Sequence, residues 1–213
     1  MVPELTVWAG ADGYLYWLKF KSMQQEQAQK IAEEVLALYH QYGNTDYIGE
    51  PVSQIEHMCQ AAQLAETEGY DESIILAAFF HDIGHLCEHI MPVKQMDGYG
   101  VVDHEKLGAD FLRQKGFAET IASLVENHVQ AKRYLTYHFP EYYEQLSEAS
   151  KKTLAFQGGP MTLEEAMTFE ADPLFNLHIK IRRWDEKAKL EQQPLPALDT
   201  YKEMIVRHLL AQN

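Results

Sequence analysis

A neutral imidazole beside a carboxylate is a donor pair suited to a divalent metal. The chain places one such pair, His81-Asp82, directly after the apolar run Ile74–Phe80. Any chain with 10 histidines makes such dipeptides by chance, so the weight comes from what accompanies this one. His57, His104 and His128 fall in three further stretches of helical pattern, and Asp185 falls in a fourth, with Arg182 one helical turn before it. Burying these groups without a shared partner would cost about 1–3 kcal/mol each. A bound metal is the simplest way to satisfy them together. Taken as a set, His57, His81, Asp82, His104, His128 and Asp185 exceed the ligand count of a single zinc and suit two metals bridged by a carboxylate. A competing pattern, His85-Leu86-Cys87-Glu88-His89, spells the inverted zinc-peptidase motif. That motif needs an unbroken helix to bring both imidazoles to one face, and Gly84 before it and Pro92 after it argue against one.

Helices are what must carry these donors. Ala28, Ile31, Val35 and Leu38 repeat at helical spacing from Ser22 onward, and Gly43-Asn44 closes that segment. Ser53 and Glu56 form a capping-box pattern that starts a helix containing His57 and ending at Gly69. Asp71 caps the apolar run that delivers His81-Asp82, and Asp103 caps a helix ending near Gly116. Another helix, from about Ala118, carries His128, and Pro140 opens a short one. Thr162 and Glu165 repeat the capping box, Pro173 begins a long helix through Lys189, and Asp199 caps the last. Tyr47–Pro51 and Glu88–Gly100 read as loops, the second long enough to line a site. The N-terminal stretch 1–21 is different: Thr6–Trp8 and Tyr14–Phe20 are aromatic runs flanking Ala11-Asp12-Gly13, the pattern of a short hairpin. The expectation is an all-α bundle over residues 22–213, preceded by an extension over 1–21.

Composition excludes several function classes. Eighteen Lys and Arg against 32 Asp and Glu leave a net charge of −14, which repels phosphate backbones and anionic lipid, and no basic stretch offsets it. Neither a nucleic-acid partner nor a membrane partner is expected. Cys59 and Cys87 are too few for a disulfide scaffold, and the first residues lack the order of a signal peptide, so a reducing cytoplasm is the expected setting.

His57, His81-Asp82 and Asp185, in that order, resemble the metal-binding pattern of the HD-domain superfamily, helical metalloproteins that are mostly phosphohydrolases. His104 and His128 between the His-Asp pair and the final Asp resemble the two-metal subset. Four longer motifs are more specific: Tyr47-Ile48-Gly49-Glu50, Ala77–Leu86, Gln157–Met161 and Arg182–Asp185. Together they resemble the PhnZ-type diiron oxygenases, which cleave phosphonates and are distantly related to myo-inositol oxygenase. The likeness spans roughly Asp46 to Lys189.

That resemblance implies a mixed-valent Fe(II)/Fe(III) pair, with His57, His81, Asp82 and Asp185 on one iron, Asp82, His104 and His128 on the other, and Asp82 as the bridge. It implies that Tyr47 gates the second iron and that Glu50 meets a substrate ammonium. His85, Lys132, Ser150, Thr153, Gln157 and Arg182 match positions that hold the phosphonate. Arg and Lys supply charge-assisted bonds to a dianion, as that role requires. The implied reaction is O2-dependent C–P cleavage of a small α-hydroxyphosphonate, with 2-amino-1-hydroxyethylphosphonate, giving glycine and phosphate, as the leading substrate. Its trimethylammonio analogue is an alternative, because a primary ammonium suits a carboxylate and a quaternary one an aromatic wall. Metal-dependent hydrolysis of a nucleotide or phosphomonoester is the other. Among the remaining histidines, His40, His138 and His208 read as surface residues, His89 as a loop residue and His178 as packing; the aromatics from Tyr134 to Tyr143 also read as packing.

Overall fold

The computed structural model describes residues 11–47 and 49–212. Among them the regular elements are all helices: α1 (Ala11–Tyr42), α2 (Gln54–Thr67), α3 (Glu72–Phe80), α4 (Ile83–Leu86), α5 (His104–Gln114), α6 (Glu119–His138), α7 (Pro140–Gln145), α8 (Glu148–Phe156), α9 (Leu163–Glu170), α10 (Phe175–Lys187) and α11 (Leu198–Ala211). Extended pairing is confined to isolated bridges, Asp46 with Ser53 and Gln95 with Val101. No described helix is long and apolar enough to cross a membrane.

Local chemistry sets the boundaries that matter for the site. The Ser53 side chain accepts from the Glu56 amide while Glu56 reaches back to the Ser53 amide at 2.7 Å, so the capping box fixes the start of α2 one turn before His57. Asp71 accepts from the amides of Ser73 and Ile74 and starts α3, whose residues Ile74–Phe80 are all buried. A helix apolar all round has to lie inside the protein, and α3 does so. Its C-terminal end therefore delivers His81 and Asp82 to the interior. Around it, α2 packs on α3 and α10, α6 packs on α3, α5 and α10, and α11 packs on α1 and α3. Trp184, Tyr39, Phe79 and Phe80 anchor this core, while Tyr142, Leu154, Met161 and Phe169 belong to a second, smaller cluster under α7–α9.

Several expectations are corrected. Residues 11–20 continue α1, so the second half of the expected hairpin is helix; its first half, Thr6–Trp8, lies outside the described residues. Strand propensity of aromatics depends on a partner strand, whereas Lys19–Lys30 is rich in strong helix formers that extend the turn pattern backwards. Asp103 precedes α5 as expected but sits at φ +53° and makes no side-chain cap bond. The helix expected to start at Pro173 begins at Phe175, and Asp199 lies inside the first turn of α11 rather than capping it. His208, read as a surface residue, is buried beside Phe117 and accepts the Ala118 amide at 3.1 Å. The two cysteines are buried and unpaired, and burial pushes both thiols up to about 12.

Candidate active site

Four imidazoles converge on Asp82. Its Oδ2 lies 3.5 Å from His57 Nε2 and 3.6 Å from His81 Nε2, and its Oδ1 lies 3.3 Å from both His104 Nε2 and His128 Nε2. Asp185 Oδ1 joins the first group, 3.4 Å from His57 Nε2. The helices turn each ring the same way. His57, His81, His104 and His128 donate from Nδ1 to the backbone carbonyls of Ala188, Ala78, Val101 and Val125, at 2.9, 2.8, 3.3 and 2.7 Å. This arrangement leaves the Nε2 lone pairs facing inward, as metal-ligating imidazoles require. The Nε2 atoms approach in pairs, His57 to His81 at 2.9 Å and His104 to His128 at 3.2 Å. Two inward lone pairs at such a distance need a positive charge between or beside them. Two groups could each hold a metal ion, His57–His81–Asp82 and Asp82–His104–His128, and they share Asp82.

Charge regulation at the centre agrees with this. Burial opposes ionisation of Asp82 and Asp185, yet the imidazoles around Asp82 and the Arg182 guanidinium beside Asp185 hold both carboxyls well below the usual range. His57 is raised to about 9 because Asp185 and Asp82 outweigh the effect of burial, while His81, where burial dominates, is lowered to about 4. Without a cation, a proton on His57 is what the carboxylates hold. Asp82 Oδ2 has no hydrogen-bond partner among the described residues. The same oxygen faces the first imidazole pair.

Beside the centre lies a pocket open to solvent. All seven residues expected to hold substrate line it: Glu50, His85, Lys132, Ser150, Thr153, Gln157 and Arg182. So do Tyr47, Asp82, His104, His128 and Asp185, whereas His57 and His81 sit behind them. Lys132 is one turn past His128 on α6, buried, and donates to Thr153 Oγ1 at 3.0 Å. Burial and the neighbouring Arg182 charge lower it to about 7. Arg182 is held by Asp185 through Nη1, and by Tyr142 at 2.9 Å and Glu186 at 3.0 Å through Nε. Its buried Nη2 has no partner among the described residues, a donor poised for an anion. His85 accepts the Val101 amide at Nδ1, 3.2 Å, and burial lowers it to about 3, so the neutral ring carries its proton on Nε2 as a donor.

Tyr47 stacks on His57 at 4.1 Å and 14°. Without a metal, burial and the carboxylates of Asp82 and Asp185 push its phenol well above the ordinary tyrosine range and keep it protonated beside the centre. A tight turn presents it: the Glu50 amide donates to Tyr47 O at 2.9 Å, and Gly49 takes φ +78°.

Two glycines bring α4 and α5 together. A Cβ on Gly84 would stand 1.9 Å from the His104 carbonyl oxygen, and one on Gly108 3.0 Å from the Gly84 nitrogen. Only without side chains there can Asp82 and His104 approach. Sequence reasoning missed this role and missed several wall residues, Gln54, Met96 and Tyr99 among them. Gln54 follows the cap of α2 and Tyr99 sits between two loop glycines, so each had a local signal. Also missed was Lys189, which donates to Glu50 Oε1 at 2.5 Å. The cation of this lysine stands 6.0 Å over the Tyr47 ring.

Residues 55–177 match the HD domain. The chain belongs to the HD-domain family. This HD-domain protein is 43% identical, over 93% of its length and 90% of the relative's, to an uncharacterized protein of Acanthamoeba polyphaga mimivirus. It is 40% identical to the [1-hydroxy-2-(trimethylamino)ethyl]phosphonate dioxygenase (glycine-betaine-forming) of Leisingera caerulea, over 83% of this chain and 89% of that one. It is 35% identical to the hydroxymethylphosphonate dioxygenase of Gimesia maris, over 77% of this chain and 81% of that one. The likeness to PhnZ-type oxygenases carried by the motifs is matched by similarity along most of the chain.

Proposed function

We propose that this HD-domain protein is an oxygenase that uses O2 to cleave the C–P bond of a small α-hydroxyphosphonate at a pair of iron ions. What carries the reading is one continuous space that joins the Asp82-centred donor groups to two cationic donors, Lys132 and Arg182, whose Nη2 has no partner among the described residues. Such a space suits a molecule that is anionic at one end and offers oxygen to a metal at the other. The two dioxygenase relatives act on phosphonates by name.

The donor set fits iron, since mixed imidazole and carboxylate ligation suits it and the inward Nε2 atoms and free Asp82 Oδ2 call for a cation. His57, His81, Asp82 and Asp185 would hold one ion, and Asp82, His104 and His128 the other. When bound, a mixed-valent Fe(II)/Fe(III) pair supplies Lewis acidity toward the substrate hydroxyl and a route for electrons to O2. In the reaction the hydroxylated carbon loses its hydrogen and phosphorus bonds and becomes a carboxylate. The four electrons it loses are those that O2 accepts, so no reductant is needed.

The residues then divide the work. Arg182 Nη2, Lys132 Nζ, His85 Nε2 and the hydroxyls of Ser150 and Thr153 bind the phosphonate oxygens, with Gln157 beside them, and the dianion returns a full charge to Lys132. Holding that end fixes the carbon to be oxidised over the centre. Tyr47, pinned by its stack on His57, covers the centre and excludes water until substrate enters. Glu50 closes the far end, where the substituent on the substrate carbon must sit. Three compounds differ only at that substituent: hydroxymethylphosphonate, 2-amino-1-hydroxyethylphosphonate and its trimethylammonio analogue. We also read residues 22–213 as the domain that carries this chemistry, in a reducing cytoplasm suited to two buried free thiols.

Oxygen-electrode traces of the iron-loaded protein, run with each phosphonate and with a phosphomonoester, test the reading. One O2 consumed per phosphate released supports it. Phosphate from the ester with no O2 uptake would instead support a hydrolase, for which Tyr47 over the centre has no use.

A further inference from the structure

A cation of the protein stands beside the Glu50 end of the pocket. Glu50 lines the wall with Tyr47 and Gln54, and its carboxylate is nearly buried, with 8% of the side chain exposed. Glu50 Oε1 accepts from Lys189 Nζ at 2.5 Å and from Ser147 Oγ at 2.6 Å. Lys189 follows α10 directly, its amide bonded to Lys187 O at 2.9 Å, so α10 supplies Arg182 and Asp185 to one end of the site and leads into the lysine at the other. Lys189 Nζ also lies over the Tyr47 ring, which places one ammonium against both residues that could greet a substrate cation.

Resting on the phosphonate-oxygenase reading above, we propose that Lys189 is the specificity-determining residue of this site. By pairing with Glu50 it puts the protein's own ammonium where a substrate ammonium would bind, and it selects hydroxyphosphonates whose carbon bears no cationic group, hydroxymethylphosphonate being the smallest. A substrate ammonium bonded to Glu50 would stand roughly 5 Å from Lys189 Nζ, where like charges cost on the order of tenfold to a hundredfold in affinity. A neutral substituent meets no such penalty. The cations that line the pocket, Lys132 and Arg182, are assigned to the phosphonate, so the charge at the Glu50 end is what separates the candidate substrates.

The test compares kcat/KM of the iron-loaded full chain for hydroxymethylphosphonate, 2-amino-1-hydroxyethylphosphonate and the trimethylammonio analogue, read as phosphate release. Wild type should favour hydroxymethylphosphonate by about tenfold or more. Lys189→Met and Lys189→Gln should shift the amino-to-hydroxymethyl ratio by at least about tenfold, mainly by lowering KM for the amino compound. Lys189→Arg should keep the wild-type ratio, and Glu50→Gln in the Lys189→Met background should abolish the gain. A merely structural lysine would change all three substrates alike. Wild type turning over an amine-bearing substrate as well as hydroxymethylphosphonate, or an unchanged ratio in both neutral variants, would overturn the inference and leave the oxygenase standing. No phosphate from any of the three with wild type would overturn the oxygenase reading, and this inference with it.

Discussion

Replacing Asp82 with asparagine separates the metal function of the centre from its packing. The side chains have the same shape, so the buried core around α3 keeps its volume. In the metal-free protein the asparagine amide can donate to inward Nε2 atoms that lie 3.3–3.6 Å from the Asp82 oxygens. Metal-free Asp82→Asn should therefore melt within a few degrees of wild type. The response to metal should differ. A ligand at a hundredfold excess over its Kd stabilises a fold by about 2.7 kcal/mol. In a chain of this length each kcal/mol moves Tm by about 2–4 °C. Each site should thus raise wild-type Tm by roughly 5–11 °C, and two sites by up to about twice that. Because Asp82 belongs to both donor groups, the single change should remove both increments. Calorimetric melts with Fe(II) added anaerobically, beside metal analysis of the desalted protein, check this. An Asp82→Asn protein that keeps half or more of the metal-induced rise, or two equivalents of metal, would refute the shared bridge.

Three further outcomes follow from the same geometry. Tyr47→Phe keeps the stack on His57, so iron content and Tm should hold while the phenolate-to-iron charge-transfer absorption of the resting protein disappears; an unchanged spectrum rejects the gating role. Lys132, lowered to about 7 by burial and Arg182, is only partly protonated at neutral pH, so inorganic phosphate should bind metal-free protein with proton uptake and weaken as pH rises past 7. Titration calorimetry in buffers of different ionisation enthalpy reads this uptake, and Lys132→Met should abolish it and cost about 10–100-fold in affinity; equal uptake in the variant would count against the assignment. Gly84→Ala forces a methyl into the His104 backbone and should cost about 1–3 kcal/mol, lowering metal stoichiometry at the His104–His128 group before the other. Full stability with full metal content would show that α4 and α5 need no such close approach.

The donors were legible because chemistry and local pattern coincide in them. His81-Asp82 ends a run too apolar to lie anywhere but inside, and the Ser53 capping box fixes where His57 points. Nothing local marked α1 as reaching back to Ala11, because the aromatics of 14–20 suit a strand if a partner exists, and whether one does is a long-range matter. Glycine hid its role for a similar reason. Gly84 reads as a helix breaker in sequence, and only the position of the His104 carbonyl reveals a close approach. The pairing of Lys189 with Glu50 spans 139 residues and changes the meaning of Glu50 from an open acceptor to an occupied one. Sequence patterns name the groups at a site; which of them are already satisfied by one another depends on the fold.

The central claim is tested most directly by phosphorus NMR of the iron-loaded protein with hydroxymethylphosphonate, in parallel tubes with and without O2. Inorganic phosphate should grow only in the aerobic tube, with formate in equal amount in the proton spectrum. Phosphate appearing equally in both tubes, or in neither tube with any of the three hydroxyphosphonates, would contradict it.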